Sequence, residues 1–414
     1  MRVEDLKGKK IGGLVSGGLD STTITHWLRA QGAEPHCITL DLGQPDEPDL
    51  DVVRQRMLAC GAASAVVLDG KEALAEAGLK VIQAQARYEG GYWNTTGIAR
   101  YVTTRLAIET LRAQGIDILF HGATGRGNDQ VRFQLATNML APQMEVYAPW
   151  RDPAMLDTFG GRKEMVEYAA AYNLPIRASL EKIYSTDANM LGLTHEAGQL
   201  EDLETGATLI TPEMGVWAWD APDAPVEVSV TWRAGRPVAF DGVEQSLDDV
   251  FRAANAVGGE HGIGIGRHVV ENRFVGIKSR GVYEAPGMEL LGQSYEFLLQ
   301  LYLDRRAREL FEHLSRFVAV QVYQGYWYDL ATTAALDALD RYASLVDGTV
   351  KLRLYKGNVV FQGATGAEGG LYAADDSSME RAGSFDHADA EGFLRVLGVP
   401  ARNYAHRMFG ELKR

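Results

Sequence analysis

The chain has 414 residues, too many for one ordinary core, so two domains are expected. Its 46% hydrophobic and 23% charged residues are those of a globular protein, and a net charge of -14 argues against a broad nucleic-acid footprint, which needs clustered Lys and Arg. Two cysteines, Cys37 and Cys60, are too few for a disulfide scaffold and lack metal-site spacing, which points to a reduced, cytoplasmic compartment. Met1 to Lys10 is charged without an apolar segment, so no signal peptide is expected. No run reaches the roughly 18 apolar residues of a membrane span.

In chain order, Ile11 to Val15 predicts a short buried strand and Ser16 to Asp20 a tight loop. Ser21, near the helix cap, leads into a helix over Thr22 to Gln31 that Gly32 stops. Pro35 to Asp41 reads as a strand, Gly43 to Pro48 as a loop, Leu50 to Cys60 as a helix and Ala65 to Leu68 as a strand. A long helix is expected over Glu72 to Tyr88, a turn at Glu89 to Tyr92 and a helix over Ile98 to Gln114. Ile116 to His121 is a strand running into a second glycine loop, Gly122 to Asn128. Strands alternating with helices mean a doubly wound parallel sheet, with ligands beyond the C-terminal strand ends, where both glycine loops fall. From about Asn173 the rhythm changes to α+β. Val226 to Trp232 and Val238 to Phe240 predict a hairpin, Leu247 to Val257 a helix, and Met288 to Tyr323 one long helix or two abutting ones. A second hairpin turns at Lys356 and Gly357. The expected domains are 1–175, 176–385 and a helical tail, 386–414, broken at Gly398 to Pro400 because proline removes a helical donor.

The first loop, SGGLDS at Ser16 to Ser21, sits between a strand and a helix N-terminus. Free backbone N–H groups and the helix dipole there form an anion cradle, and Gly17 and Gly18 let a phosphate approach closely. Neither a Walker lysine nor a dinucleotide glycine pattern is present. The run resembles the pyrophosphate-binding (PP) loop of ATP pyrophosphatases, against the plainer reading of a glycine turn.

The second loop and helix start, GATGRGNDQVRF at Gly122 to Phe133, resembles the GATGKGNDQVRF segment of the argininosuccinate synthase family. APWR at Ala148 to Arg151, YSTDAN at Tyr184 to Asn189, THEAG at Thr194 to Gly198, VENRF at Val270 to Phe274 and KSRGVYEAP at Lys278 to Pro286 match the same family in the same order. The resemblance implies an α/β PP-loop domain followed by an α+β synthetase domain. It also implies an ATP-dependent ligation of citrulline and aspartate through a citrulline–adenylate, giving argininosuccinate, AMP and pyrophosphate. Magnesium would accompany ATP, with no dedicated protein site for it, and the partners would be these small molecules and further copies of the chain in a homotetramer. No nucleic acid and no membrane enter.

By resemblance, Ser16, Gly17, Gly18, Leu19, Asp20 and Ser21 surround the ATP phosphates, Leu40 lies near adenine, and Gly122, Thr124 and Asp187 border ATP. Thr124 also reaches aspartate, Asn128 bridges aspartate and citrulline, Asp129 holds the aspartate amine and Arg132 pairs with the citrulline carboxylate. Tyr92, Thr96, Ser185, Thr194, Glu196, Glu271 and Tyr283 line the citrulline site. Asp20, Asp129 and Arg132 would be the catalytic set. Plainer readings stand beside these. Ser185 and Thr194 could be helix caps, Tyr92 and Tyr283 core tyrosines, and Glu271 with Arg273 a surface ion pair. His195 reads as a packing histidine. The chain departs from the family at Leu40 and Asp41, at Arg126 and at the Gly398 to Pro400 break, which leaves open a paralogue joining aspartate to another ureido or carboxylate acceptor.

Overall fold

The computed structural model describes residues 1–47, 49–176, 183–384 and 386–409. Pro48, at the end of one expected loop, and residues 410–414 of the expected tail lie outside them. Two compact units result, Met1–Gly369 and Gly370–Arg414.

The larger unit begins with β1 (Lys10–Leu14), α1 (Leu19–Ala30), β2 (Glu34–Asp41), α2 (Leu50–Ala59), β3 (Ser64–Asp69), α3 (Lys71–Gln83) and α4 (Thr95–Ala113). Then come β4 (Ile118–His121), α5 (Asp129–Leu140), β5 (Glu145–Tyr147), α6 (Pro153–Thr158) and α7 (Arg162–Ala171). The five strands form one parallel sheet in the order β3-β2-β1-β4-β5. The order reverses between β1 and β4, the place where such sheets open a ligand crevice. β1 is buried on both faces. A Cβ at Gly13 would lie 2.2 Å from the Phe120 ring, so only glycine lets β4's aromatic pack there.

Next come β6 (Ser185–Asn189), β7 (Gly192–Glu196), β8 (Val226–Arg233), β9 (Arg236–Phe240), β10 (Val243–Glu244), α8 (Leu247–Glu260), β11 (Arg267–Asn272) and β12 (Lys278–Glu284). They are followed by α9 (Pro286–Tyr302), α10 (Arg305–Gln324), α11 (Leu330–Ala343), β13 (Gly348–Tyr355) and β14 (Asn358–Thr365). They build two antiparallel sheets, β11-β12-β7-β6 and β10-β9-β8-β13-β14. The buried side of α9 includes Met288, Leu291, Tyr295 and Leu298, which join the core shared with α3, α4 and β13. Among the described residues no helix is long and apolar enough to cross a membrane.

Three expectations change. Ser21 is not the cap of α1; Gly18 is, and the Ser21 hydroxyl lies inside the first turn, accepting from Ser16 N at 3.0 Å. The helix expected over Glu72 to Tyr88 stops at Gln83, because Gln85 takes a left-handed φ of 48°. Its N–H reaches Ile82 O at 2.9 Å while Ala86 N reaches Val81 O at 3.0 Å. That pair of bonds is a Schellman stop, here without the glycine that usually advertises it. Of the two readings open for Met288 to Tyr323, the structure has two abutting helices, parted where Asp304 caps α10 by accepting from Ala307 N at 2.7 Å.

The third change lies in the smaller unit. Its helix α12 (His387–Phe409) runs through Pro400 without the expected break. Proline there removes one donor, the one owed to the Val396 carbonyl, at a cost of about 3 kcal/mol, and the turns on either side continue. Phe393, Leu394, Val396 and Leu397 are all exposed on it.

Candidate active site

The cradle forms where β1 leaves the sheet. Gly17 adopts φ +73°, and a Cβ on it would sit 2.7 Å from Val53 Cγ1 and 3.0 Å from Arg56 Nη1. Arg56 of α2 donates to Gly17 O at 2.7 Å, pinning the turn from behind. On Gly18 a Cβ would meet only Ser16 Oγ, at 3.5 Å, so the surface over the N-terminus of α1 is clear. This suits a phosphate group, which can meet backbone N–H donors and the positive end of the helix dipole together. Leu19 and Ser21 are buried in the first turn. Burial pushes the Asp20 carboxyl up, partly offset by Trp150, whose Nε1 donates to Oδ1 at 3.1 Å. Gly122, just past β4, borders the same cradle, since a Cβ there would lie 3.6 Å from Asp20 Cβ and 4.0 Å from Ser21 N. Thr124 is exposed on the second loop. Leu40 is buried at the end of β2, and beyond it Asp41 pairs with Lys71 at 2.5 Å. A cavity of about 630 Å³ opens there, lined among others by Asp41, Gln44, Lys71, Met190, Arg252 and Asn255.

A chain of charges crosses the crevice. Asp129, the first residue of α5, accepts from Arg132 Nη1 at 2.9 Å and from Arg100 Nε at 2.9 Å. The other side of the Arg100 guanidinium donates to Asp187 on β6. One cation from α4 therefore brackets two carboxylates, one at the start of α5 and one on β6. Burial opposes the charge on Arg100, but Asp129 and Asp187 outweigh it and raise its pKa. Burial likewise pushes Asp129 up, and Arg100 and Arg132 overcome it, holding this carboxyl below its usual range. Asp187 has only Arg100 against burial and the Asp129 charge, so its pKa is raised. Arg132 is buried, and its Nε and Nη2 both donate to Tyr323 O, at 3.1 and 2.8 Å. With Nη1 on Asp129, three of its five N–H groups are engaged and two remain for a ligand. Asn128 caps α5 and accepts from Phe274 N at 2.9 Å, drawing the β11–β12 turn over the site.

The opposite wall is the four-stranded sheet. Thr194 on β7 bonds Thr96 Oγ1 at 2.9 Å, and Thr96 N donates to the Tyr92 hydroxyl at 3.0 Å. Tyr92 stacks on Tyr283 with centroids 4.0 Å apart. Ser185 pairs with Glu196 in the β6–β7 register. Neither Ser185 nor Thr194 caps a helix; both lie in strands. Glu196 faces Arg273, 3.6 Å away, and Glu271 is buried and accepts from the Tyr323 hydroxyl, so Glu271 and Arg273 are not a simple surface pair. Burial pushes the Glu196 carboxyl up to about 7; Arg273 opposes this and the nearby Asp129, Glu271 and Asp187 charges add to it. Glu271 is raised too, chiefly by burial, against its Tyr323 bond. His195, between Thr194 and Glu196, is fully buried with Nε2 2.5 Å from Glu284 Oε1.

The structure thus gathers Asn128, Asp129, Arg132, Asp187, Thr194, Glu196 and Glu271 around one crevice next to the cradle. Sequence reasoning missed Arg100, Trp150 and Tyr323. Trp150 lies in the matched APWR segment and could have been found there. Arg100 and Tyr323 carry no local signal, one being mid-helix and the other at a helix end. Among the described residues no group of three or more His, Cys, Asp or Glu is arranged to hold a metal ion.

A parallel sheet with a glycine cradle at its switch point, facing a charged crevice built by a second sheet, defines an α/β nucleotide-binding enzyme. Comparison with known proteins narrows the class. The family model described as arginosuccinate synthase N-terminal HUP domain matches residues 13–175, and that of the arginosuccinate synthase C-terminal domain matches residues 184–404. The argininosuccinate synthase of Rhodopirellula baltica is 41% identical over 94% of this chain and 96% of its own length. That of Nitratidesulfovibrio vulgaris is 39% identical over 97% of this chain and 98% of its own. The chain belongs to the argininosuccinate synthase family.

Proposed function

We propose that the chain joins citrulline to aspartate at the expense of ATP, releasing argininosuccinate, AMP and pyrophosphate. The observation that carries this is the packing of Gly122 against Asp20 and Ser21, which sets the Asn128 to Arg132 segment beside the phosphate cradle. The ureido oxygen attacks the α-phosphorus; the bond to the bridging oxygen of the β-phosphate breaks and pyrophosphate leaves. The aspartate amine then attacks the ureido carbon, gives up a proton, and AMP departs. Little covalent work falls to side chains, so placement and charge carry the acceleration.

In this reading the Ser16 to Ser21 cradle and Gly122 take the phosphates, and the cavity beyond Leu40 supports the adenosine end there. The two uncommitted N–H groups of Arg132 meet the citrulline carboxylate, a planar match. Glu196 and Glu271, with the hydroxyls of Tyr92, Ser185, Thr194 and Tyr283, receive the rest of citrulline. Asp129, kept ionised by its two arginines, holds the aspartate amine, with Thr124 and Asn128 beside it. Magnesium arriving with ATP would spread the phosphate charge, with no dedicated protein site for it, and Asp20 borders the phosphates. The family resemblance supports a homotetramer working in the cytoplasm.

Pyrophosphate release measured with ATP, citrulline and aspartate, omitting each in turn, tests the assignment. AMP and pyrophosphate are expected only when all three are present. ADP and phosphate would overturn the adenylation, and turnover with another acceptor in place of citrulline would reassign the substrate. Gly17→Ala tests the cradle. The left-handed φ and the 2.7 Å approach to Val53 predict strain of roughly 1–3 kcal/mol. The ATP KM should rise about tenfold, with the citrulline KM within about twofold of the parent. A uniform change in both would place the effect in the fold.

A further inference from the structure

We infer that Tyr323, at the end of α10, is a positioning residue for the acceptor amino acid, setting Glu271 with its side chain and Arg132 with its main chain. The inference rests on the reading above. The last carbonyls of a helix have no partner within it and must find one elsewhere. Here the Tyr323 carbonyl takes two donors of Arg132, at 3.1 and 2.8 Å, and the Val322 carbonyl takes the Tyr101 hydroxyl at 2.5 Å. Farther back, Ala319 O accepts from Asn94 Nδ2 at 3.1 Å. Gly325, in a left-handed conformation with φ 114°, ends the helix so that these carbonyls stay open to the sides. The guanidinium of Arg132 is thereby fixed from one edge, and its orientation follows the helix end.

The side chain of the same residue acts on the other charge. The ring of Tyr323 is fully buried and stacks on Tyr88, centroids 3.7 Å apart and planes within 3°. That stack fixes where the hydroxyl points, and it donates to Glu271 Oε2. The bond leaves Oε1 as the oxygen available to an ammonium group. An α-amino acid presents a carboxylate and an ammonium at a fixed separation, so one rigid residue holding both an arginine and a glutamate sets the spacing that recognises it. Tyr323 touches no reacting atom in this scheme. It sets the geometry of two groups that bind substrate.

Steady-state kinetics and direct citrulline binding by calorimetry, on Tyr323→Phe and on Tyr101→Phe, test this. Tyr323→Phe keeps the stack and the main chain and loses only the hydroxyl. Its citrulline KM and dissociation constant should rise about tenfold, as expected for a lost hydrogen bond to a charged group. The ATP and aspartate KM should stay within about twofold. Tyr101→Phe removes the donor to the neighbouring Val322 carbonyl but leaves both the Arg132 bonds to the Tyr323 carbonyl and the Glu271 bond, so it should lower the melting temperature without a selective citrulline effect. If Tyr323→Phe leaves citrulline binding unchanged, raises all three KM together, or is matched by Tyr101→Phe, Tyr323 is scaffold and the inference is overturned. If the parent protein itself binds no citrulline, the substrate assignment fails, and this inference falls with it.

Discussion

Arg100→Ala is expected to lower kcat/KM for aspartate about a hundredfold and to destabilise the protein. The substitution leaves Asp129 and Asp187 facing one another without the cation between them, and removing one member of a part-buried ionic network costs roughly 1–3 kcal/mol. The loss should fall on aspartate use before ATP use, because Asp129 is the group whose ionisation Arg100 helps to maintain. Arg100→Lys should restore part of the stability and little of the rate, since a point charge cannot reproduce a fork whose Nε and Nη2 serve partners on a helix and a strand at once. Chemical denaturation alongside kinetics with each substrate varied separates the two effects. Equal loss in the KM of all substrates would mean that Arg100 only holds the fold.

Glu196→Gln is expected to raise the citrulline KM about tenfold while making the protein harder to melt at pH 8. The direction follows from the Glu196 carboxyl, which its surroundings push up to about 7 from its ordinary value of 4.5, an effect that solvent at its 46% exposed side chain weakens. Between those values the folded state holds the proton more tightly than the unfolded chain, so stability falls as pH rises through that window and stays lower above it. Glutamine removes the liability, and its advantage should vanish below about pH 4.5, where both forms are neutral. The parent's kcat/KM for citrulline should fall as pH drops through 7, where the carboxylate that receives an ammonium is lost, and the variant should lack that limb. Melting curves across pH and a citrulline pH profile measure both. A lower melting temperature for the variant at pH 8 would contradict the argument.

The parts of the site that were legible in the sequence are those whose chemistry is local. SGGLDS contains its own glycines and helix start, so an anion cradle could be read from its order along the chain, and the Gly122 to Arg132 run was recognised by its resemblance to a family segment. Parallel strands with continuous apolar runs, such as Glu34–Asp41, were equally plain. What could not be read depends on distant segments meeting. Arg100 sits 87 residues before Asp187, in a helix with no motif around it, and only the packing of α4 against β6 gives it a second carboxylate. Tyr323 is 191 residues from Arg132. The helix stop at Gln85 was hidden for a different reason. A left-handed residue other than glycine is held there by tertiary bonds, its Nε2 reaching Gly292 O at 3.0 Å, which no local preference announces. The unbroken α12 shows the reverse case, where one strong local signal, Pro400, was outweighed by the residues on either side.

The capped end of α10 bears on how such an enzyme can change over generations. Asn94, Tyr101 and Arg132 are supplied by the chain's first half, yet they complete a helix that belongs to its second. A foreign nucleotide-binding segment grafted in front of residues 184–404 would bring its own cradle and still leave the Val322 and Tyr323 carbonyls without these donors. The two halves are therefore not interchangeable cassettes. Drift at the joint must be matched on both sides, and recombination inside the family should succeed only where the donor segment carries donors equivalent to Tyr101 and Arg132.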